Sequence, residues 1–210
     1  MKSKKILCGL IAMLAGVIYF PVLAQQKNGT QDVVYLLDIK KSKLFWKAPK
    51  NSHKGFILFN SGTLSNFTNG WPTQGTFSIN MNSMRSTDEA SVAGRKKVDA
   101  ELRSDDFFGV LKYPTATIVV SRILPEPNRT IFSVYGELTI KEVTKPIEFT
   151  TLMKQNGSTI TATANMKITR ANWNINYQPE RTSWNLFSRL KDNLVDDEIP
   201  VSLELVFTKK

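Results

Sequence analysis

Apolar and polar residues alternate along most of this chain, and a period of two is typical of β-strands with one buried face. The clearest run covers residues 160–169, where apolar side chains occupy the even positions and polar ones the odd positions. A similar alternation occurs in 42–47, 76–81 and 201–207. Each of these segments predicts a strand that packs one face against a hydrophobic core.

Further apolar segments bring the count to about nine predicted strands. They are Val33–Leu37, Gly55–Phe59, Thr115–Ser121, Ile131–Ile140 and Pro146–Met153. Asn156-Gly157 stands between two strands and is typical of a type I′ hairpin turn, in which both central residues need positive φ. Such strands are antiparallel, and a sheet of this size must stack as a sandwich or close into a barrel.

One long interruption separates the strands. Ser86 followed by Glu89 matches a capping box, so the stretch up to Leu102 is predicted as a helix or helical loop. A second short helical piece is predicted from Trp184 to Leu190. The sequence contains no internal repeat and no linker, which indicates a single domain.

The first 24 residues have the pattern of an export signal. Three lysines precede an apolar run from Ile6 to Phe20, and Val22 and Ala24 supply the small residues of a cleavage site. We therefore expect residues 1–24 to be a cleaved signal peptide and residues 25–210 to form one secreted domain. Cys8, the only cysteine, lies inside the signal, so the mature domain has no disulfide. No later segment is apolar over a membrane-spanning length.

The formal net charge is +10, which favours contact with anionic surfaces. A nucleic-acid partner is not expected, because the basic residues are scattered and no recognition motif accompanies them. One group of lysines is predicted to form a solvated face, with attraction to anionic lipid headgroups as the alternative. These are Lys40, Lys41, Lys43, Lys47, Lys50 and Lys54.

The sequence offers few residues for catalysis or metal binding. His53 is the only histidine, and no nucleophile elbow, phosphate-binding loop or dinucleotide-binding glycine motif is present. His53 is interpreted as a polar residue at a strand end. The acidic groups Asp105-Asp106 and 196–198 lack the alternating spacing of a calcium loop. We therefore expect no enzymatic activity, no metal site and no cofactor.

Two longer stretches resemble the YceI-like family of bacterial periplasmic proteins. They are residues 98–114, VDAELRSDDFFGVLKYP, and 135–149, YGELTIKEVTKPIEF. Three shorter pieces, at 38–46, 170–173 and from 196 onward, agree in the same order along nearly the whole mature chain. His53 matches a common family position, whereas Glu101 replaces a histidine that the family usually carries.

The resemblance implies an all-β fold, an antiparallel lipocalin-like β-barrel of about eight strands with one or two short helices. It also implies that the protein binds and shields a polyisoprenoid or an isoprenoid quinone in the periplasm. The inward rows would then line a tunnel for the lipid. The candidate ligand-binding residues are Leu44, Trp46, Ile57, Phe59, Phe77, Ile79, Phe107, Phe108, Ile118, Val120, Leu138, Met166 and Trp173.

The resemblance gives roles to two further groups of residues. Small inward residues would leave room for the ligand, namely Gly55, Gly136, Ala162 and Ala164. Phe107, Phe108 and Trp173 would close one end of the barrel. Exchange of the lipid would involve transient contact with a membrane surface, and a homodimer is plausible.

Two other functions remain open at this point. A barrel of about eight strands can be filled by its own side chains instead of a ligand. The protein would then be a structural or partner-binding module of the cell envelope, with a filled interior and an exposed apolar patch. A hydrolase of a small substrate is the third alternative, and His53 would be its candidate base.

Overall fold

The fold is built almost entirely from β-strands. The computed structural model describes residues 33–48, 53–88, 90–127, 130–175 and 198–210. The strands are β1 (Tyr35–Leu37), β2 (Lys43–Lys47), β3 (Lys54–Thr68), β4 (Trp71–Ser86), β5 (Thr115–Pro125), β6 (Ile131–Ile140), β7 (Val143–Asn156), β8 (Thr159–Thr169) and β9 (Glu198–Lys209). Helix α1 spans Val92–Arg103, and a 3₁₀ helix spans Arg170–Trp173.

The strands form one antiparallel sheet that closes on itself. Strands β3 to β9 pair in chain order, from β3–β4 through to β8–β9. β1 and β2 both lie between β9 and β3, one at each end of the barrel. The nine strands thus occupy eight positions around the ring. This confirms the predicted antiparallel β-barrel of about eight strands.

A serine side chain replaces backbone pairing in the gap between β1 and β2. Ser42 is fully buried, and its Oγ accepts a hydrogen bond from the Val206 N–H at 3.0 Å. The same hydroxyl donates to the Val206 carbonyl oxygen at 3.5 Å, and the Asp38 N–H donates to that oxygen at 2.8 Å. The backbone of β9 is therefore satisfied where no strand lies beside it.

The apolar row of each strand faces the barrel axis. In β6 the buried positions are Phe132, Val134, Gly136, Leu138 and Ile140, and the residues between them are partly or fully exposed. Strand β8, which has the clearest alternation in the sequence, shows the same arrangement. The period-two pattern therefore predicts correctly which side chains point inward.

The β7–β8 hairpin is confirmed, but its predicted turn type is wrong. Asn156 pairs with Thr159, so the two loop residues are Gly157 and Ser158. Gly157 has a φ of 57° and Ser158 has no positive φ, which is the pattern of a type II′ turn. Asn156 belongs to the strand because the pairing extends one residue further than the Asn-Gly signal predicts.

The β6–β7 hairpin contains a turn with two positive φ values. Ile140 pairs with Val143, and the loop residues Lys141 and Glu142 have φ of 50° and 62°. Both residues carry a Cβ, which makes the left-handed region costly. The Lys141 ammonium donates to two backbone carbonyl oxygens, of Phe107 at 3.0 Å and of residue 174 at 2.9 Å. These bonds hold the turn against two neighbouring loops.

Helix α1 begins later than the capping-box pattern predicts. Ser86 ends β4 instead, and its backbone N–H donates to Asp99 Oδ1 at 2.6 Å. The N-cap is Ser91, whose hydroxyl accepts a hydrogen bond from the Gly94 N–H at 2.9 Å. The prediction that the helix starts at Ser86 is wrong, because the Ser86 N–H is bonded to the buried side chain of Asp99 in α1.

Some sequence predictions lie outside the described residues. They are the signal peptide at 1–24, Lys50 of the lysine group, Glu89 of the capping-box pattern, the second helical piece at 184–190 and the first two acids of the 196–198 group. Neither of the described helices is long and apolar enough to cross a bilayer.

Replacing Glu142 with glycine is expected to stabilise the barrel by roughly 0.5–1 kcal/mol, because glycine adopts a positive φ without the steric cost. Ser158→Gly is the matched control, since Ser158 occupies the second position of the other two-residue turn without a positive φ. The control is expected to lose about 0.5 kcal/mol through a more flexible unfolded chain. Urea unfolding measures both, and equal shifts in the two variants would contradict the assigned strain.

Candidate ligand-binding cavity

Two apolar cavities lie along the barrel axis. The larger has a volume of about 120 Å³ and reaches Leu102 of α1, and the smaller has a volume of about 40 Å³. Ile118 and Leu203 line both cavities, so the two spaces adjoin at that level. The interior of the barrel is therefore hollow in two places and not filled throughout.

The cavities bring together residues from nearly all the predicted inward rows. The larger cavity is lined by Leu44, Trp46, Ile57, Ile79, Phe107, Phe108, Ile118, Leu138 and Met166 of the predicted set. The smaller cavity is lined by Phe59, Phe77, Ile118 and Val120 of that set. Contact between these side chains and a ligand stays a prediction.

Trp173 differs from the other candidate residues because it lines neither cavity. Its side chain is buried in the core, and its indole N–H donates to the Leu138 carbonyl oxygen at 3.0 Å. Since Leu138 lines the larger cavity, Trp173 is bonded to a residue of the cavity wall. Its expected role in closing one end of the barrel stays a prediction.

The four small residues expected to leave room for a ligand fall into two groups. Ala162 and Ala164 line the smaller cavity. A Cβ on Gly55 would lie 1.8 Å from a carbonyl oxygen of β4 and 2.6 Å from the Trp46 ring. A Cβ on Gly136 would lie 2.4 Å from a carbonyl oxygen of β5. The prediction is wrong for both glycines, because protein atoms occupy the space beside them.

Aromatic side chains close the end of the barrel opposite α1, which we call the aromatic end. Tyr35 stacks on Phe67 with ring centroids 5.1 Å apart, and Trp71 contacts Phe132 with centroids 4.7 Å apart. Phe132 is 1% exposed. None of these four residues lines either cavity, so both cavities end before the aromatic layer.

At the α1 end, a tight loop carries Phe107 and Phe108 into the cavity wall. Gly109 has a φ of 52°, and its N–H donates to the Ser104 carbonyl oxygen at 2.8 Å, so the chain turns back onto the end of α1. The bond from the Lys141 ammonium to the Phe107 carbonyl oxygen fixes the same loop to the β6–β7 turn. The loop that carries both phenylalanines is therefore held at two points, by the end of α1 and by the β6–β7 turn.

Several lining residues of the larger cavity fall outside the predicted set. They include Met81, Met84, Ile140, Ile168, Arg170, Ile175 and Ile199. The alternation in β8 would have found Ile168, because it continues the row of Met166. Met84 follows an irregularity in β4 that shifts the inward positions by one residue, and Ile175 follows the 3₁₀ helix. Neither has a signal in the sequence pattern.

Methionine is concentrated at these cavities. All four methionines that follow the predicted signal peptide line them, Met81, Met84 and Met166 in the larger cavity and Met153 in the smaller. Methionine is unbranched and polarisable, and it adapts to irregular neighbours more readily than leucine or isoleucine. The walls can therefore change shape without breaking the strands that carry them.

His53 lies beside Asp88 and lines neither cavity. Its Nδ1 is 2.7 Å from Asp88 Oδ2, and Asp88 Oδ1 accepts a hydrogen bond from the Lys54 N–H at 2.9 Å. Burial raises the pKa of Asp88, but the hydrogen bonds from Lys54 and His53 outweigh it, so the pKa lies below its usual range. The pair joins the start of β3 to the segment that follows β4.

The other acidic candidates also lie away from the cavities. Glu101 is exposed on α1, and Asp105 is exposed in the loop after it. Within the described ranges, no group of three or more His, Cys, Asp or Glu side chains is arranged to hold a metal ion. The replacement of the family histidine by Glu101 therefore leaves the apolar cavity walls unchanged.

A model of the YceI-like domain matches residues 35–207, which is most of the chain. The chain belongs to the YceI-like family. The match covers every strand of the barrel and confirms the resemblance that the sequence motifs indicate.

Solved structures share the fold of this YceI-like chain. BcnA from Burkholderia cenocepacia is 24% identical with a TM-score of 0.64, over 81% of this chain and 98% of BcnA. A polyisoprenoid binding domain from Saccharophagus degradans, implicated in plant cell wall breakdown, is 19% identical with a TM-score of 0.58, over 84% and 98%. A Campylobacter jejuni YceI protein is 20% identical with a TM-score of 0.50, over 78% and 84%. No curated protein sequence matches significantly.

Asp88 is expected to make stability depend on pH in the acid range. A carboxyl with a lowered pKa stabilises the folded state above its unfolded pKa of about 3.9, and the contribution is lost as the pH falls through the folded pKa. Asp88→Asn should therefore be less stable than the wild type at pH 7, and the difference should shrink below about pH 4. Denaturant unfolding at a series of pH values measures this. A difference that stays constant down to pH 3 contradicts the prediction.

Proposed function

We propose that this protein binds a long apolar lipid inside the barrel and shields it from water, with a polyisoprenoid or an isoprenoid quinone as the ligand class. The observation that carries the proposal is the pair of adjoining apolar cavities inside a barrel of the YceI-like family. The shared fold of a polyisoprenoid binding domain supports the ligand class.

The cavity volumes limit the length of lipid chain that the barrel can hold in this conformation. Apolar cavities of roughly 150 Å³ accept a molecule of the size of benzene. The larger cavity, at about 120 Å³, therefore accommodates only a short part of a lipid chain in this conformation. A longer chain must displace side chains along the axis, and the methionines are the lining residues best suited to that movement.

The energetics suit a protein that both holds and releases its ligand. Each buried methylene gains about 0.8 kcal/mol relative to water, so several isoprene units supply a large gross binding energy. A bilayer offers the lipid a similar apolar environment, and the net transfer free energy between bilayer and barrel is therefore small. Such a balance permits exchange in both directions.

We further propose a periplasmic location and transient contact with a membrane surface. The export signal predicted at residues 1–24 supports a periplasmic location. Exchange with a bilayer requires transient contact with a membrane surface, and the exposed lysines Lys47 and Lys54, paired across β2 and β3, supply positive charge for it. A homodimer stays a prediction.

The hollow interior favours lipid binding over a filled structural module. Among the described residues, the large exposed apolar side chains are spread over several elements, including Val92 on α1, Leu111 in the following loop and Leu152 on β7. Scattered residues of this kind are normal for a protein surface. A hydrolase is also disfavoured, because the described side chains that line the larger cavity include no hydroxyl, carboxylate or imidazole group.

Filling the larger cavity should abolish lipid binding. Ala116 is 3% exposed and lines that cavity, so Ala116→Phe would place a ring in the space. We expect at least a tenfold loss of lipid that copurifies from a bacterial host, at a cost in stability of about 1–3 kcal/mol from overpacking. Mass spectrometry of organic extracts measures the bound lipid.

Val119→Phe is the matched control for this experiment. Val119 lies on the same strand but is 48% exposed on the outer face, so its substitution should leave the amount of bound lipid unchanged. Wild-type protein without a stoichiometric apolar molecule in repeated extracts would overturn the proposed function.

A further inference from the structure

The larger cavity contains very little polar chemistry. Among the described side chains that line it, those of Trp46 and Arg170 carry nitrogen and none carries oxygen. The Arg170 Nη1 donates to the Ile175 carbonyl oxygen at 3.3 Å. A ligand with any polar atom therefore has few places in this cavity where that atom can form a hydrogen bond.

Trp46 lines the larger cavity and carries a hydrogen-bond donor for which no described residue is the acceptor. The residue pairs with Gly55 on β3 and with Val201 on β9, and its ring occupies the space beside Gly55. Its Nε1 is shielded from solvent and has no hydrogen-bond partner in the described part of the chain. The buried indole N–H of Trp173, by contrast, donates to the Leu138 carbonyl oxygen.

A buried donor without an acceptor costs free energy, because it has lost its hydrogen bond to water and gained none. A water molecule is a poor solution here, since a buried water needs two to four polar partners and the cavity wall is almost entirely apolar. A hydrocarbon chain cannot accept the bond either. An oxygen atom on the ligand would satisfy the donor without bringing further polar groups into the cavity.

We propose that Trp46 selects for an oxygen-bearing lipid by donating its indole N–H to a hydroxyl, carbonyl or ether oxygen of the ligand. This inference rests on the proposed function and narrows the ligand class from apolar lipids in general to those with an oxygen acceptor. Prenols and isoprenoid quinones share this chemistry. Trp46 lies in β2, towards the α1 end, so the oxygen lies there and the hydrocarbon tail points towards the aromatic end.

Two probes with the same carbon skeleton test the inference. They are geranylgeraniol and the C20 hydrocarbon that lacks its hydroxyl group, each titrated into lipid-free protein with binding measured by calorimetry. The ratio of alcohol affinity to hydrocarbon affinity should be about tenfold higher in the wild type than in Trp46→Phe. Trp46→Phe keeps an aromatic ring but removes the donor, so the hydroxyl of the alcohol would be buried there without a partner.

Trp173→Phe is the matched control. It removes an indole N–H that already has a partner, so it should lower thermal stability while keeping the wild-type ratio of alcohol affinity to hydrocarbon affinity. Circular dichroism verifies that each variant folds. A ratio of alcohol affinity to hydrocarbon affinity that is unchanged in Trp46→Phe overturns the role of Trp46 and leaves lipid binding intact. A wild type that binds neither probe overturns the proposed function as well.

A measurement on the wild type alone keeps the test independent of the variants. The indole N–H resonance of Trp46 in a ¹⁵N–¹H spectrum should move downfield by a fraction of a ppm or more on addition of the alcohol and less on addition of the hydrocarbon. Equal shifts with both probes would contradict the hydrogen bond.

Discussion

Hydrogen bonding between β9 and the β1–β2 position closes the sheet, and the shape of the interior depends on this closure. A ring of eight strand positions has a limited width, enough for side chains alone or for side chains and one slender ligand. The pairing of β9 is continuous because Ser42 supplies a donor and an acceptor where the neighbouring strand is interrupted. Loss of the Ser42 hydroxyl would leave the Val206 N–H without its acceptor, while the Val206 carbonyl oxygen would keep the bond from the Asp38 N–H.

The chemistry of the interior depends on the side chains that face the barrel axis once the sheet is closed. Aliphatic and aromatic rows form most of the wall, so the cavities exclude polar guests by the cost of desolvating them. The methionines make that wall deformable, while the bonds around Phe107 and Lys141 keep its α1 end in place. The protein thus combines a rigid frame with an adaptable lining, in which few side chains carry nitrogen.

Much of the architecture can be predicted from the sequence because burial in a strand has a period of two. The inward rows of β5, β6 and β8 follow the alternation, and most candidate residues line a cavity for the same reason. The second half of β3 could not be predicted, since Asn60, Ser61 and Gly62 resemble a turn although the strand continues through them and Ser61 and Gly62 pair with β4. Their strand conformation is imposed by a long partner strand and not by local preference.

Other features depend on contacts between residues far apart in sequence. The bond from Ser86 to Asp99 ties the end of β4 to α1, and an irregularity in the pairing of β4 with β3 turns Met84 inward. The room beside Gly55 is taken by Trp46 from the adjacent strand. The alternation of apolar and polar residues cannot predict such effects, because it describes each strand separately and contains no information about the distance between neighbouring strands.

The aromatic end has a consequence for any elongated guest. Tyr35, Phe67, Trp71 and Phe132 form a floor of paired rings beyond both cavities, so a chain can thread through the barrel only if these rings separate. With the rings in place, it enters and leaves by the same route, and the part that goes in first comes out last. A guest longer than the space above the floor has to fold back on itself or protrude into its surroundings, where its trailing end would be the first part to meet whatever receives it.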